Sequence, residues 1–124
     1  MSVLLDSDIL IEVSRGRNSE ILARWSALRG AEGEILYSPV TEAELWAGVR
    51  ASEYQELTDL LHSLICVPID KATGRRAGDY LRRYGKSHGV ELADALIASA
   101  AVLNEATLWT RNRKHYPMTD LKFY

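Results

Sequence analysis

The residues best suited to chemistry in this sequence are three carboxylates, Asp6, Glu44 and Asp94. If they converge, they repel one another. The Coulomb repulsion between two carboxylates about 5 Å apart is about 3 kcal/mol at an effective dielectric of ~20. Such a cluster must take up protons or bind a cation. Oxygen ligands without a His or Cys partner favour Mg²⁺ or Mn²⁺ over zinc. A hard cation held by few carboxylates keeps water in its shell, and that water can attack a phosphodiester. We therefore expect the three acids to be metal ligands of a hydrolytic site.

Asp94 gives the strongest of these signals. The residues that follow it, from 95 to 103, are all apolar except Ser99. A helix that is apolar on almost every side is buried. An isolated carboxylate near its start is costly unless it is paired, capped or bound to a cation. The alternative is a carboxylate that the helix macrodipole stabilises in the first turn. Glu91, three residues earlier, lies on about the same helix face and could join a site.

The elements that must position these acids alternate along the chain. Strands separated by helices imply crossover connections and a mostly parallel sheet covered by helices on both faces. Ligands of such sheets bind at the carboxyl ends of the strands, which is where Asp6 and Glu44 fall. The predicted strands are Val3–Leu5, Ile35–Tyr37, Ile65–Val67, Thr107–Trp109 and Leu121–Tyr124.

Helix capping offers a simpler explanation for two of the acidic positions. Asp8 can cap a helix over residues 9–15. Thr41 and Glu44 match a capping box, in which the glutamate reaches back to the threonine amide. For these residues the sequence leaves both interpretations open.

The composition is that of an ordinary folded protein of one domain. The chain has 124 residues, of which 47% are hydrophobic and 26% charged, and this argues against disorder. A net charge of −2 excludes a bulk polycation but allows a local basic patch. Cys66 is the single cysteine, so no internal disulfide is possible. With no signal peptide or membrane-length apolar segment in sight, a cytoplasmic location is expected.

Polar and basic residues after the fourth predicted strand are candidates for substrate contact. Thr110 and Asn112 follow that strand, and Arg111 and Arg113 flank Asn112. A phosphate-containing substrate needs such positive charge near an acidic pocket. Tyr116 could stack on a base, but core packing or a dimer contact explains it at least as well.

A second basic group decorates the helix predicted to begin after Asp70 and to reach about Tyr84. A solvated helix face is the simplest explanation for it. Its members are Arg75, Arg76, Arg82, Arg83 and Lys86.

Taken together, these residues give the chain a resemblance to the PIN-domain ribonucleases, and among them to the VapC-type toxins of toxin–antitoxin pairs. The resemblance spans essentially the whole chain. No one motif is specific alone, but four in this order and at this spacing are. The motifs are LLDSDILIE at 4–12, TEAELWAG at 41–48, ELADALIASAAVL at 91–103 and LWTRN at 108–112.

The resemblance implies a three-layer α/β/α sandwich on a mostly parallel sheet of about five strands, as a single PIN-like domain over residues 1–124. It implies a divalent-metal-dependent endoribonuclease, with Asp6, Glu44 and Asp94 as the acidic catalytic positions. Homodimers and a small VapB-type antitoxin that blocks the active site are further implications. No membrane association is expected.

The sequence departs from the fullest family pattern at a fourth acidic position. Some members carry Asp where this chain has Asn112, and others carry an acid in the region that His115 occupies. We expect Asn112 to take part in catalysis by binding a water or a phosphate oxygen, since its amide both accepts and donates. Asp8, Thr110 and the two arginines Arg111 and Arg113 are expected to contact substrate.

Three alternatives differ in class. The missing fourth acid motivates a PIN-like module that binds RNA or a partner without cutting. A nuclease acting on DNA would need the same carboxylates. A phosphoacceptor receiver domain would use Asp70 as the phosphorylated residue, but it leaves Glu44 and Asp94 unexplained. The sequence does not indicate which RNA would be the target.

Overall fold

The structure, a computed structural model, describes residues 1–124. The chain forms four strands and six helices, with a pair of helices between each strand and the next, and two short 3₁₀ helices at Ala51–Glu53 and Arg113–His115. The elements are β1 (Ser2–Leu5), α1 (Ser7–Arg15), α2 (Ser19–Gly30), β2 (Glu34–Tyr37), α3 (Pro39–Gly48), α4 (Tyr54–His62), β3 (Ile65–Cys66), α5 (Lys71–His88), α6 (Leu92–Leu103) and β4 (Ala106–Trp109).

The four strands form one sheet in the order β3-β2-β1-β4, and every pairing is parallel. β1 lies in the middle, with Val3 opposite Ile35 of β2 and Thr107 of β4. The predicted parallel sheet is therefore confirmed. The predicted count of about five strands is wrong, because the structure has four.

The expected fifth strand, Leu121–Tyr124, makes only an isolated bridge between Leu108 and Phe123. Two backbone hydrogen bonds hold it, from the Leu108 amide to the Lys122 carbonyl and from the Tyr124 amide to the Leu108 carbonyl. A turn at residues 119–120 directly precedes the segment, so only a few residues are extended beside β4.

Side chains that alternate along β1 separate the core into two layers. Leu4 faces the first core cluster, which α5 and α6 cover, and Val3 and Leu5 face the second, which α1 to α4 cover. All three residues are at most 1% exposed, as expected for a central parallel strand covered on both faces. The three-layer α/β/α arrangement is confirmed.

Small side chains let α6 lie close to the sheet. Ala95, Ala98 and Ala101 are fully buried in the first core cluster, and α6 packs against both α5 and β4. The start of α6 is thereby held near the carboxyl edge of β1. No helix combines the length and the apolar character that crossing a membrane would need.

Candidate active site

Asp6 stands at the end of β1, at the carboxyl edge of the sheet. Its amide donates to the Trp109 carbonyl at 3.0 Å, and its Oδ1 caps α1 by accepting from the Ser7 amide at 2.8 Å. Its Oδ2 accepts from the hydroxyls of Thr110 at 2.9 Å and Tyr116 at 2.7 Å. Because Asp6 is only 7% exposed, these three side-chain bonds fix its orientation.

Asp8 lies in the first turn of α1, beside Asp6. The prediction that it caps this helix is wrong, since Asp6 is the cap. Its Oδ2 accepts from the Arg111 amide and from Nδ2 of Asn112, each at 3.0 Å. Its Oδ1 is buried and has no hydrogen-bond partner. Burial, and after it the negative charge of Asp6, raises the pKa of Asp8 to about 6.

Glu44 projects from α3. That helix is capped by Ser38, whose hydroxyl accepts from the Thr41 amide at 3.5 Å, so the predicted capping box between Thr41 and Glu44 does not form. Glu44 instead accepts a hydrogen bond from the Ser7 hydroxyl at 3.1 Å. Burial raises its pKa, the Ser7 bond opposes this shift, and the charges of Asp6 and Asp94 add to it.

Asp94 occupies the first turn of α6. It accepts a hydrogen bond from the Glu91 amide at 3.4 Å as half of a capping box. The carboxylate is therefore stabilised at the start of the helix, as the alternative interpretation predicts. It also faces the other acids. Burial raises the pKa of Asp94; the Glu91 hydrogen bond and the positive charge of His115 oppose the shift, and the charges of Asp6 and Glu91 add to it.

These acids surround one cavity of about 330 Å³. Five separate segments contribute to it, namely the start of α1, α3, the end of α5, the start of α6 and the loop after β4. Apart from Ala93, its walls are polar, charged or glycine. The lining residues are Asp6, Ser7, Asp8, Glu44, His88, Gly89, Glu91, Ala93, Asp94, Asn112 and His115.

The donor chemistry of this cavity fits a hard divalent cation. Burial and neighbouring negative charge raise the pKa values of Asp8, Glu44 and Asp94, and Asp8 keeps a buried oxygen without a partner. Oxygen donors of this kind suit Mg²⁺ or Mn²⁺. No three of the chain's His, Cys, Asp and Glu side chains are close enough to make a preformed metal-binding group. The acids therefore line the cavity without closing on one point.

Thr110 and Asn112 bind to the carboxylates themselves. The Thr110 hydroxyl donates to Asp6, lies 3.5 Å from Oδ2 of Asp8, and accepts from the Asn112 amide at 3.0 Å. The loop after β4 is thereby tied to the start of α1. Thr110 is buried and does not line the cavity, whereas Asn112 does.

The two predicted arginines point away from the cavity. Arg111 forms a 3.0 Å ion pair with Glu12. Arg113 lies over the Phe123 ring and donates to the Tyr124 carbonyl at 3.2 Å. Arg111 contacts the acidic cluster through its backbone amide, which donates to Asp8, and its positive charge opposes the rise in the pKa of Asp8.

Tyr116 is a site residue whose role the sequence did not indicate. Of the interpretations that the sequence leaves open for it, base stacking is excluded and core packing is observed, because it is 3% exposed and bonded to Asp6. Burial, and after it the charge of Asp6, raises the pKa of Tyr116 well above its usual value, so its hydroxyl stays a donor. Ser7, which links Asp6 to Glu44, was also missed. Ser7 lies within the first motif, at 4–12, but that motif does not indicate a bond to Glu44, and Tyr116 lies outside all four motifs.

Comparison with known proteins is consistent with this arrangement. The PIN domain pattern matches residues 3–120 of the chain. The chain belongs to the PIN domain family. This PIN-domain chain is 40% identical to Ribonuclease VapC10 of Mycobacterium tuberculosis over 95% of its own length and 88% of that protein. It is 33% identical to Ribonuclease VapC19 of the same organism over 93% of its length and 92% of that protein.

A solved PIN-domain structure shows the same fold. The crystal structure of VapBC2 from Rickettsia felis, bound to a DNA fragment from its promoter, superimposes with a TM-score of 0.83 at 23% identity. The match covers 100% of this chain and 98% of that one. PIN-domain VapC ribonucleases are generally dependent on a divalent metal.

Proposed function

We propose that this PIN-domain chain is a metal-dependent endoribonuclease of the VapC type, acting as one catalytic unit over residues 1–124. The observation that supports this most directly is the convergence of Asp6, Glu44 and Asp94, from three separate segments, on one cavity. The names of the relatives VapC10 and VapC19 support RNA as the substrate. Structural neighbours that are toxin–antitoxin complexes support a VapB-type antitoxin as the partner.

In this proposal Asp6, Glu44 and Asp94 hold Mg²⁺ or Mn²⁺. The bound cation would supply a water nucleophile at neutral pH and offset the charge that develops on the phosphate. Tyr116 and Thr110 orient Asp6 by donating to its Oδ2. Ligand-orienting partners of this kind set both metal affinity and ligand geometry.

The remaining polar groups of the cavity would act on the RNA. Asn112 is held by Asp8, which leaves its side-chain oxygen free to accept from a water or a ribose hydroxyl. In this proposal Asp8 acts on the RNA through Asn112, because its own unpartnered Oδ1 is buried. Thr110, Arg111 and Arg113, expected to contact substrate, are instead assigned to positioning, because their side chains bond to residues of the chain itself.

A groove beside the acidic cavity suits the antitoxin. It has a volume of about 480 Å³, lies between α1, α3 and α4, and shares Glu44 with the cavity. Ile11, Leu57 and Arg15 are among its lining residues, so it offers both apolar contacts and positive charge. A peptide lying there would reach the metal ligands. A homodimer, expected from the resemblance, is part of the proposal as well.

The test is cleavage of RNA by purified protein freed of any partner. Total cellular RNA is incubated with Mg²⁺, with Mn²⁺ or with EDTA, beside the variants Asp6→Asn and Asp94→Asn. Asp59→Asn, on the exposed face of α4, is the matched control. Discrete fragments that require the metal and both aspartates, but not Asp59, are the expected result.

Two outcomes would contradict the proposal. No cleavage by folded, metal-loaded protein would favour the PIN-like module that binds without cutting. Equal cleavage of a DNA strand of the same sequence would indicate a nuclease that does not select RNA.

A further inference from the structure

The positive charge of the chain is concentrated on one helix. α5 carries six basic side chains and one acidic side chain, a net charge of +5. The whole chain has a net charge of −2, so the rest of the molecule carries −7. A single strongly basic element on an otherwise acidic protein is a local electrostatic feature that net charge does not reveal.

The basic residues of α5 are spaced so that four of them share one exposed face. Lys71, Arg75, Arg82 and Lys86 follow one another at intervals of four, seven and four residues, and such intervals keep side chains on the same side of a helix. All four are exposed. We call this set the basic face of α5. It extends about 22 Å along the helix axis.

Little within the chain neutralises the basic face. Lys71, Arg75 and Lys86 form no ion pair. Arg82 pairs with Asp79 of the same helix, and exposed pairs of this kind are weak and readily exchanged. The opposite side of α5 is occupied, since Ala77 and Tyr80 are buried in the core. The basic face is therefore the free side of a firmly anchored helix.

The surface along this face is open. A shallow depression of about 770 Å³ runs beside it, lined in part by Gly74, Arg75, Gly78 and Arg82. The glycines place no side chain between the two arginines. A polyanion could approach the helix closely here.

The end of α5 reaches the acidic cavity. His88 closes the helix and Gly89 caps it, and both line the cavity that contains Asp6 and Asp94. Lys86 lies in the same last turn as His88 but on another side of the helix. A strand that follows the basic face and passes over the end of α5 would therefore arrive at the carboxylates.

We propose that the basic face of α5 binds the phosphates of the RNA substrate and guides the strand into the acidic cavity. This inference rests on the proposed ribonuclease function. The contact is with phosphate and carries no base preference. It gives the substrate affinity that an acidic cavity, which repels phosphate, cannot supply by itself.

The experiment measures binding of a labelled single-stranded RNA of about 16 nucleotides, the upper end of single-strand site sizes. EDTA is present to prevent cleavage, and the salt concentration is varied. The double variant Arg75→Ala/Lys86→Ala is compared with wild type. The matched control Arg29→Ala/Lys122→Ala removes the same two residue types from exposed positions that do not line the cavity.

Loss of two phosphate contacts should reduce the slope of log Kd against log salt by about 1.4 and weaken binding roughly tenfold at low salt. The control should follow wild type. Arg75→Lys/Lys86→Arg, which keeps the charges, should restore the slope. An unchanged slope in the alanine variant would overturn the inference. If that variant also differs from wild type in the mass measured by sedimentation, the face contacts a second copy of the chain instead of RNA.

Cleavage distinguishes this inference from the proposed function. If Asp94-dependent cleavage is present and the slope does not change, the inference about the basic face is wrong and the proposed ribonuclease function is supported. If the slope falls and no cleavage occurs under any metal condition, the proposed ribonuclease function is wrong and RNA binding by the basic face is supported.

Discussion

The hydroxyl of Tyr116 donates a 2.7 Å hydrogen bond to Oδ2 of Asp6, across a separation of 110 residues. Both groups are buried, so the bond is protected from water. It fixes the one acidic residue that lies at the central strand of the sheet. The family motifs do not include this tyrosine, yet the geometry makes it the main support of Asp6.

Tyr116→Phe should weaken both folding and metal binding. Removing the donor leaves Oδ2 of Asp6 with the Thr110 hydroxyl alone, at an expected cost of about 1–2 kcal/mol in the free energy of unfolding. Metal affinity should fall about tenfold or more, as for other ligand-orienting partners. Urea unfolding and titration calorimetry with Mn²⁺ measure the two effects. Tyr54→Phe, at an exposed position, is the control, and equal behaviour of the two variants would contradict the prediction.

Asp8 should make stability depend on pH. Its pKa in the folded chain is about 6 against 3.8 for the unfolded chain, so between these values the folded chain holds a proton that the unfolded chain releases. The free energy of unfolding should therefore fall as pH rises from about 4 to 6 and stay low above that.

Asp8→Asn should flatten this dependence and be more stable than wild type at neutral pH. The slope that remains would come from Glu44 and Asp94, whose pKa values burial also raises. Denaturant titrations across the window, without divalent metal, test this. Asp59→Asn should retain the slope of wild type, and a persistent full slope in Asp8→Asn would show that another group causes it.

Three carboxylate ligands should hold one divalent ion in the absence of RNA. Asn112 and His115 stand where other family members carry the fourth catalytic acid, and neither is a carboxylate, so a second ion should bind only with substrate present. Calorimetry should give a stoichiometry near one for Mn²⁺, and Asp6→Asn should abolish binding. Anomalous scattering from Mn²⁺-soaked crystals that shows two fully occupied sites without RNA would contradict this.

The two residues at the fourth acidic position should respond differently to an added carboxylate. Asn112→Asp replaces the Nδ2 donor, 3.0 Å from Asp8, with a second negative charge. It should cost about 1–3 kcal/mol in the free energy of unfolding at neutral pH. His115→Asp breaks no such hydrogen bond; it places a second carboxylate beside Asp94 and should strengthen binding of a second Mn²⁺. Thermal unfolding with and without Mn²⁺ separates the two, and identical behaviour would contradict the assignment.

Arg113→Ala should affect folding more than RNA binding. Its guanidinium lies 4.9 Å from the centroid of Phe123 and bonds to the Tyr124 carbonyl. We expect a loss of about 0.5–2 kcal/mol in the free energy of unfolding and an unchanged Kd for RNA. Arg75→Ala should weaken RNA binding and leave the free energy of unfolding unchanged. Weaker RNA binding by Arg113→Ala, with an unchanged free energy of unfolding, would show that Arg113 contacts the substrate.

The sequence predicts the architecture and the convergence of the acids because both follow from local patterns. Alternating apolar runs and helices require a parallel sheet, and the ends of its strands meet at one edge. The predicted fifth strand fails because an apolar segment beside a turn can add a single bridge without extending the sheet. The cap of α1 was misplaced by two residues, since Asp6 and Asp8 are equally good caps and only the pairing of Asp6 with Trp109 decides between them.

The contacts between distant side chains could not be predicted in this way. The partner of Tyr116 depends on the path of an irregular segment after β4. The directions of Arg111 and Arg113 depend on which rotamers meet Glu12 and Phe123. These choices are settled by packing over the whole molecule, and no local sequence spacing contains them.

The alanines of α6 have a consequence for the position of the third acid. Ala95, Ala98 and Ala101 separate the helix from its neighbours by little more than a methyl group each, so their size determines how far Asp94 stands from Asp6. A larger residue at one of them would push the helix outward and move the carboxylate with it. The geometry of the metal site therefore depends on the apolar interior as well. A substitution there that touches no polar atom can still abolish metal binding.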